Sequence, residues 1–171
     1  MFNPNSRVLD NIMGNAHFTV KIHREKLLED SLNALVRDNA YQNLKKPLRV
    51  IFEGEPAIDE GGVKKEFFQL VFKELFKPDY GMFTYNPDNR LYWFNGLSFE
   101  SPLNFHLVGV LMGLAASNQV IIDIPIASVC YKYLLGQKAD LSDLEAWQPD
   151  VAQSFRYILS YNEAAPLEEV L

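Results

Sequence analysis

One stretch of the chain, Phe105 to Ala116, is apolar nearly all round when it is placed on a helix. Ser101-Pro102 ahead of it is typical of a helix start, because serine caps free N–H groups and proline suits the first turn. The stretch is shorter than the roughly 20 residues that span a bilayer. It therefore predicts a helix in the centre of a folded domain, with Gly109 and Gly113 on a face that a neighbouring helix approaches closely.

The composition around that helix is typical of a single globular domain. The chain has 171 residues, 48% of them hydrophobic, which suits one core. Its 22 acidic and 16 basic residues give a net charge of −6, which argues against a protein that tracks nucleic-acid phosphates. A single cysteine excludes an internal disulfide framework and a thiolate zinc cluster. We therefore expect no nucleic-acid partner, no membrane partner and no metal.

Shorter patterns along the chain indicate further helices and a strand. Leu48 to Phe52 is short, β-branched and aromatic, which is typical of a strand. Three- and four-residue spacing of apolar residues, with Gly and Pro at the ends, predicts helices at 24–36, 63–76, 125–135, 141–147 and 151–161. The sequence therefore predicts an α+β fold that is mainly α, a helical domain with short strands and a β-hairpin.

The hairpin is predicted where two aromatic segments, Met82–Tyr85 and Leu91–Phe94, flank Asn86-Pro87-Asp88-Asn89, whose residues suit a turn. Its aromatic side chains are Phe83, Tyr85, Tyr92 and Trp93. Alternate residues of a strand face opposite sides, so about half of these rings should lie in the core. For any one of them, core packing is favoured over a contact with a partner.

The usual catalytic motifs are missing from the sequence. It contains no GxGxxG, P-loop or GxSxG motif, and its three histidines lack the spacing of a zinc site. We therefore expect neither a cofactor nor a metal. Cys130, the one thiol, lies in the middle of the predicted helix 125–135. Free cysteines are among the residues most often buried, so we predict a structural role for Cys130 and no catalytic one.

Asp59, Glu60, Gly61 and Gly62 form the most conspicuous acidic cluster. Acid pairs that hydrolyse substrates face a shared space, whereas adjacent residues usually point apart. Acidic groups at a helix start stabilise its free N–H groups and its dipole, and the glycines give the backbone freedom for a sharp entry. The cluster is therefore interpreted as a structural motif rather than a catalytic one.

Six segments form a combination that is specific although each alone is not, and they lie at 45–55, 59–68, 80–85, 91–95, 105–115 and 131–136. In this order they resemble the N-lobe of HECT-type ubiquitin ligases. Within the family the resemblance is to the group around the papillomavirus-recruited ligase. It implies that residues 18–171 form the large subdomain of the N-lobe and end before the conjugating-enzyme-binding subdomain and the C-lobe. Residues 1–17 are expected to form a poorly ordered N-terminal extension.

The resemblance implies ubiquitin transfer in two steps, from a conjugating enzyme to a ligase cysteine and then to a substrate lysine. The implied partners are ubiquitin, a ubiquitin-conjugating enzyme, protein substrates and the C-lobe of the same ligase. The catalytic cysteine of the family falls outside this chain, so no residue here takes over a catalytic role. Some members bind a second ubiquitin through an aromatic at the hairpin edge, and Tyr85 is the matching position.

A second interpretation remains open, that of a non-catalytic HECT-derived module or scaffold that binds ubiquitin or other proteins. The two interpretations share the same fold and differ in whether a catalytic cysteine follows in the longer protein. The first residues, Met1 to Arg7, contain no apolar signal segment. We therefore expect a cytoplasmic location, with a nuclear one also open.

Overall fold

The structure, a computed structural model, describes residues 16–37, 40–55 and 60–161. Its elements are β1 (Phe18–Ile22), α1 (Leu27–Val36), α2 (Ala40–Asn43), β2 (Leu48–Phe52), α3 (Glu60–Leu75), β3 (Phe83–Asn86), β4 (Leu91–Phe94), α4 (Pro102–Ser117), α5 (Val129–Leu134), α6 (Leu141–Trp147) and α7 (Pro149–Ser160), with 3₁₀ turns at Arg24–Lys26 and Pro78–Tyr80. The predicted class, a mainly helical α+β fold with short strands and a hairpin, is confirmed.

The chain divides into two compact units. Unit 1 comprises Met1–Phe83 and Phe94–Ile124, and unit 2 comprises Thr84–Trp93 and Pro125–Leu171. Unit 2 is therefore discontinuous in sequence, because most of the hairpin is inserted between the two segments of unit 1. The expected N-terminal extension, 1–17, lies outside the described residues except for its last two positions.

Unit 1 contains a two-stranded parallel sheet. β1 pairs with β2 over their full lengths, from Phe18 opposite Leu48 to Ile22 opposite Phe52. Alternate side chains of β1 are buried, which places one face of the sheet in the core. Parallel strands need a long connection, and α1 and α2 supply it. The predicted strand at 48–52 is confirmed, whereas β1 was not predicted.

The core of unit 1 is formed mainly by α3 and α4. Their most buried side chains are Phe67, Phe68, Val71, Phe72 and Leu75 on α3, and Leu107, Leu111, Leu114 and Ala115 on α4. As predicted, α4 begins at Pro102, and the Ser101 side chain accepts a hydrogen bond from the Asn104 N–H at 3.3 Å. Among the described residues, no helix is long and apolar enough to cross a membrane.

Among the residues that the structure describes, none packs closely on the glycine face of α4. Gly109 and Gly113 are both exposed, and a Cβ added at either would meet no atom within 4 Å. The prediction that a neighbouring helix approaches there is therefore wrong. The helix buries the side that carries Leu107, Leu111 and Leu114 instead, because large side chains remove more apolar surface from water.

Unit 2 combines the hairpin with α5, α6 and α7. The predicted helix at 141–147 is confirmed, and the one predicted at 151–161 runs from Pro149 to Ser160. α6 begins with a capping box, in which the Asp140 side chain accepts from the Asp143 N–H while the Asp143 side chain accepts from the Asp140 N–H. α6 and α7 meet at a corner formed by Gln148, which ends one helix and precedes the other.

Candidate functional site

Tyr85 lies on β3 with 46% of its surface exposed. Its ring centroid lies 4.9 Å from that of Tyr92, with the two rings inclined at 49°. Phe83 is buried, whereas Tyr92 and Trp93 are half-buried, so one of the four hairpin aromatics lies fully in the core where about half were expected. Tyr85 therefore presents an apolar ring and a phenol to solvent, with a second ring behind it. We call Tyr85 and Tyr92 the tyrosine surface.

The tip of the hairpin is attached to the C-terminal end of α6 by two asparagines. The Asn86 Nδ2 donates a hydrogen bond to the Trp147 carbonyl oxygen at 2.8 Å. The Asn89 Nδ2 donates to the Ala146 and Trp147 carbonyl oxygens, both at 2.9 Å. All of these residues belong to unit 2. We call Asn86 and Asn89 the asparagine latch.

The same two side chains also fix the turn of the hairpin. The Asn86 Oδ1 accepts from the Asp88 N–H at 3.0 Å, and the Asn89 Oδ1 accepts from the Leu91 N–H at 3.1 Å. Arg90, the last residue of the turn, has a φ of 59°, a left-handed conformation that ends such turns. Each asparagine therefore uses its oxygen for the turn and its nitrogen for the helix.

The edge of the hairpin is held by the segment before α5. The Tyr92 N–H donates to the Pro125 carbonyl oxygen at 2.6 Å, and the Ala127 N–H donates to the Tyr92 carbonyl oxygen at 3.3 Å. This parallel bridge pairs Tyr92 with Ile126. The prediction that a helix begins at Pro125 is wrong for this reason, because the backbone groups that would start it pair with β4. α5 begins instead at Val129.

The base of the hairpin belongs to unit 1. Phe83 is 5% exposed, and its ring centroid lies 4.7 Å from that of Phe76, 5.5 Å from that of Phe94 and 6.3 Å from that of Phe105. Such tilted aromatic pairs contribute stability beyond their buried area. Ring packing thus holds the base of the hairpin within unit 1.

A buried carboxylate joins α5 to α6. Asp143 is 7% exposed, and the Lys132 Nζ lies 2.7 Å from its Oδ1 and 2.8 Å from its Oδ2. The Asp140 N–H donates to the Asp143 Oδ2 at 2.9 Å. The hydrogen bond to Asp143 raises the pKa of Lys132, and a hydrogen bond from the Ser142 hydroxyl lowers the pKa of Asp140. Both shifts favour the charged forms of Lys132 and Asp140.

Cys130 is half-buried at the second position of α5. Burial raises the pKa of its thiol, so the fraction of thiolate at neutral pH is lower than for a free cysteine. A nucleophilic cysteine needs the opposite shift. The structural role of Cys130 stays a prediction, and its surroundings agree with it.

The acidic cluster is only partly described. Asp59 lies outside the described residues, α3 begins at Glu60, and Gly61 and Gly62 lie in its first turn. The left-handed glycines in the described chain are Gly54, Gly81 and Gly136, so the freedom proposed for Gly61 and Gly62 is not used in that way. The structural role of the cluster stays a prediction.

Near the start of α3, Arg24 connects three elements of unit 1. It forms ion pairs with Glu55 and Glu66, and its guanidinium lies 4.3 Å from the centroid of the Phe52 ring. The hydrogen bonds from Arg24 lower the pKa of Glu55. These polar groups pair with one another, so the arrangement is interpreted as stabilising the fold of unit 1.

Unit 1 also contains an open cavity of about 810 Å³. Its lining carries both signs of charge, with Lys26 and Lys73 near Glu25 and Glu29. A lining of mixed charge favours neither an anionic nor a cationic ligand. The cavity is therefore a weaker candidate for a binding site than the tyrosine surface.

The predicted site residues that the structure describes fall in different units. Tyr85 and Cys130 belong to unit 2, whereas Glu60, Gly61 and Gly62 belong to unit 1. The latch residues Asn86 and Asn89 were predicted only as turn residues. The sequence signal for such a contact is the presence of two asparagines in one turn. The backbone of a turn uses their side-chain oxygens and leaves their amide hydrogens for another partner.

Comparison with known proteins identifies the class. The family model described as HECT-domain (ubiquitin-transferase) matches residues 69–170. The human protein named Probable E3 ubiquitin-protein ligase HERC4 is 46% identical over 142 residues, which cover 83% of this chain and 13% of HERC4. The chain therefore belongs to the HECT-domain family.

Two further relatives agree with this assignment. Human Probable E3 ubiquitin-protein ligase HERC3 is 42% identical over 90% of this chain and 15% of its own length. Mouse Probable E3 ubiquitin-protein ligase HECTD2 is 38% identical over 83% of this chain and 20% of its own length. The chain thus spans 13 to 20% of the length of these relatives. They do not support the narrower expectation of the group around the papillomavirus-recruited ligase.

Proposed function

We propose that this chain is the N-lobe platform of a longer HECT-type ubiquitin ligase and that its tyrosine surface binds ubiquitin. The HECT-domain family match and the names of the relatives support the first part. One observation carries the second part: Tyr85 is exposed on a hairpin whose edge and tip are held by other segments of unit 2. A tyrosine fixed in this way is typical of a protein-binding contact.

In this proposal the ligase cysteine lies elsewhere in the longer protein. Ubiquitin passes from a conjugating enzyme to that cysteine and then to a lysine of a protein substrate, with the C-lobe of the ligase as the partner that carries the cysteine. The chain contributes binding rather than a reacting group. A ubiquitin held on the tyrosine surface is kept at a high effective concentration near the growing product.

Replacing Tyr85 with alanine is expected to weaken the binding of ubiquitin about tenfold, because a central aromatic contact often supplies that much affinity. The measurement is a titration of ¹⁵N-labelled ubiquitin with the chain, followed by NMR. Tyr157→Ala is the matched control, since Tyr157 is an exposed tyrosine of the same unit, on α7. Equal affinities of the Tyr85 and Tyr157 variants would contradict the proposed surface.

Cys130 is expected to accept no ubiquitin. The chain is incubated with a ubiquitin-loaded conjugating enzyme, and products are separated with and without reducing agent. No reducible adduct of the chain should form, because burial raises the pKa of the Cys130 thiol and lowers its reactivity. A reducible adduct that disappears in Cys130→Ser would overturn the structural interpretation of this residue.

The alternative of a non-catalytic module is not favoured, because the relatives are named as ubiquitin-protein ligases. Both interpretations use the same tyrosine surface for ubiquitin. They differ in the longer protein, where a ligase forms a thioester with ubiquitin and a scaffold does not. Thioester formation by the full-length protein therefore separates them.

A further inference from the structure

The C-terminal end of α6 has carbonyl groups that the helix itself cannot pair. The last four carbonyls of a helix lack intrahelical donors, and Pro149, which follows after one residue, has no N–H to offer. The asparagine latch donates to the carbonyls of Ala146 and Trp147. The hairpin tip is therefore the cap of α6, and its donors also interact favourably with the negative end of the helix dipole.

A ring contact reinforces the attachment. The ring centroids of Trp93 on β4 and Trp147 on α6 lie 5.8 Å apart, inclined at 36°. Trp93 follows Tyr92 in sequence, and Tyr92 packs against Tyr85. The last residue of α6 therefore contacts the hairpin through its carbonyl oxygen at the tip and through its ring on β4.

From this geometry we infer that Asn86 and Asn89 are positioning residues for the tyrosine surface. They contribute to ubiquitin binding through Tyr85, by fixing the strand end on which it stands to the end of α6. This inference rests on the proposed function of that surface. It makes the hairpin and the corner between α6 and α7 one functional element.

The physical reason is preorganisation. Tyr85 directly precedes Asn86, so the backbone that directs its ring is fixed on one side by the latch. Without the latch the tip keeps its turn but loses its attachment, and the Tyr85 ring samples more orientations. Binding must then order the ring and the tip, which reduces affinity without removing any atom that touches ubiquitin.

The decisive variant is Asn86→Asp/Asn89→Asp. Aspartate keeps the oxygen that accepts from the Asp88 and Leu91 N–H groups, so the turn is retained. It removes both amide donors and sets carboxylate oxygens against the carbonyls of α6. Asn33→Asp/Gln153→Glu is the control, because it adds the same two charges at exposed positions away from the latch.

Two measurements report on this variant. The Kd for ubiquitin, from NMR titration, is expected to rise about three- to tenfold, and the control is expected to change less than about twofold. The chain has two tryptophans, Trp93 and Trp147, so the near-ultraviolet circular dichroism of their contact reports directly on the latch. That signal should weaken while the far-ultraviolet spectrum, which reports helix content, stays unchanged. Asn89→Asp alone, which keeps the turn and retains the Asn86 donor, should give an intermediate result.

Combination with Tyr85→Ala separates positioning from a direct contact. In the Tyr85→Ala background, the latch variant is expected to change the Kd by less than about twofold, because its effect acts through the missing ring. The inference would be overturned if the latch variant lost the same affinity in both backgrounds. It would also be overturned if the latch variant left the Kd unchanged in the chain that keeps Tyr85. If Tyr85→Ala alone leaves the Kd unchanged, the proposed function fails instead, and with it the inference that depends on it.

Discussion

Replacing Phe83 with alanine is expected to lower the free energy of unfolding by about 3–4 kcal/mol, the largest effect among these predictions. Phe83 is 5% exposed and packs against the rings of Phe76, Phe94 and Phe105 within unit 1. The substitution removes most of a buried ring and leaves a cavity that the neighbouring rings fill only in part. Urea unfolding followed by circular dichroism measures the change.

Phe99→Ala is the control for this experiment. Phe99 belongs to the same unit and has the same side chain, but it is fully exposed. Its replacement is expected to change the free energy of unfolding by less than about 0.5 kcal/mol. Similar losses for the two variants would contradict the role of Phe83 as the anchor of the hairpin base.

Replacing Asp143 with alanine is expected to lower the free energy of unfolding by about 2–3 kcal/mol. The buried carboxylate accepts from the Asp140 N–H and pairs with Lys132, so its removal abolishes one of the two reciprocal bonds of the capping box and the closest ion pair between α5 and α6. Lys132 is partly exposed and is rehydrated, which keeps the loss below that of a fully buried pair. Thermal and urea unfolding both measure it.

Two further variants make this prediction specific. Asp143→Asn keeps an oxygen that can accept from the Asp140 N–H while it removes the charge, so its effect should be smaller than that of Asp143→Ala. Asp123→Ala removes an exposed aspartate and should change stability by less than about 0.5 kcal/mol. An Asp143→Ala variant as stable as Asp123→Ala would show that the Lys132 pairing contributes nothing measurable.

The elements that sequence predicted correctly are those with local signals. The start of α4 follows from Ser101 and Pro102, and the hairpin from a turn sequence between two aromatic segments. β2 could be predicted because its five residues are β-branched or aromatic apart from Leu48 and Arg49. In each case the residues that determine the structure lie within a few positions of one another.

The elements that sequence did not predict depend on distant partners. β1 is a strand because it pairs with β2, some 30 residues further along the chain, and its register cannot be read from its own residues. α5 begins late because Tyr92 pairs with the segment around Ile126. The face of α4 that packs was misassigned, because a pair of glycines allows a close approach without requiring one.

The candidate site shows the same division. Tyr85 was predicted through a family resemblance and is exposed as expected. The asparagine latch was missed, because its acceptors at Ala146 and Trp147 lie nearly 60 residues away in sequence. Backbone carbonyls carry no sequence signal, so a side chain that binds them can be recognised only when the structure places the helix end beside it.

The discontinuous sequence of unit 2 has a consequence for its synthesis. Trp93 leaves the ribosome 54 residues before Trp147 does. At about 5–20 residues per second, the finished hairpin waits roughly 3–11 seconds for the helix end that it caps. During that interval Trp93 and the two asparagines lack their partners in α6. The contacts between the hairpin and α6 therefore form only after the second segment of unit 1 has been synthesised.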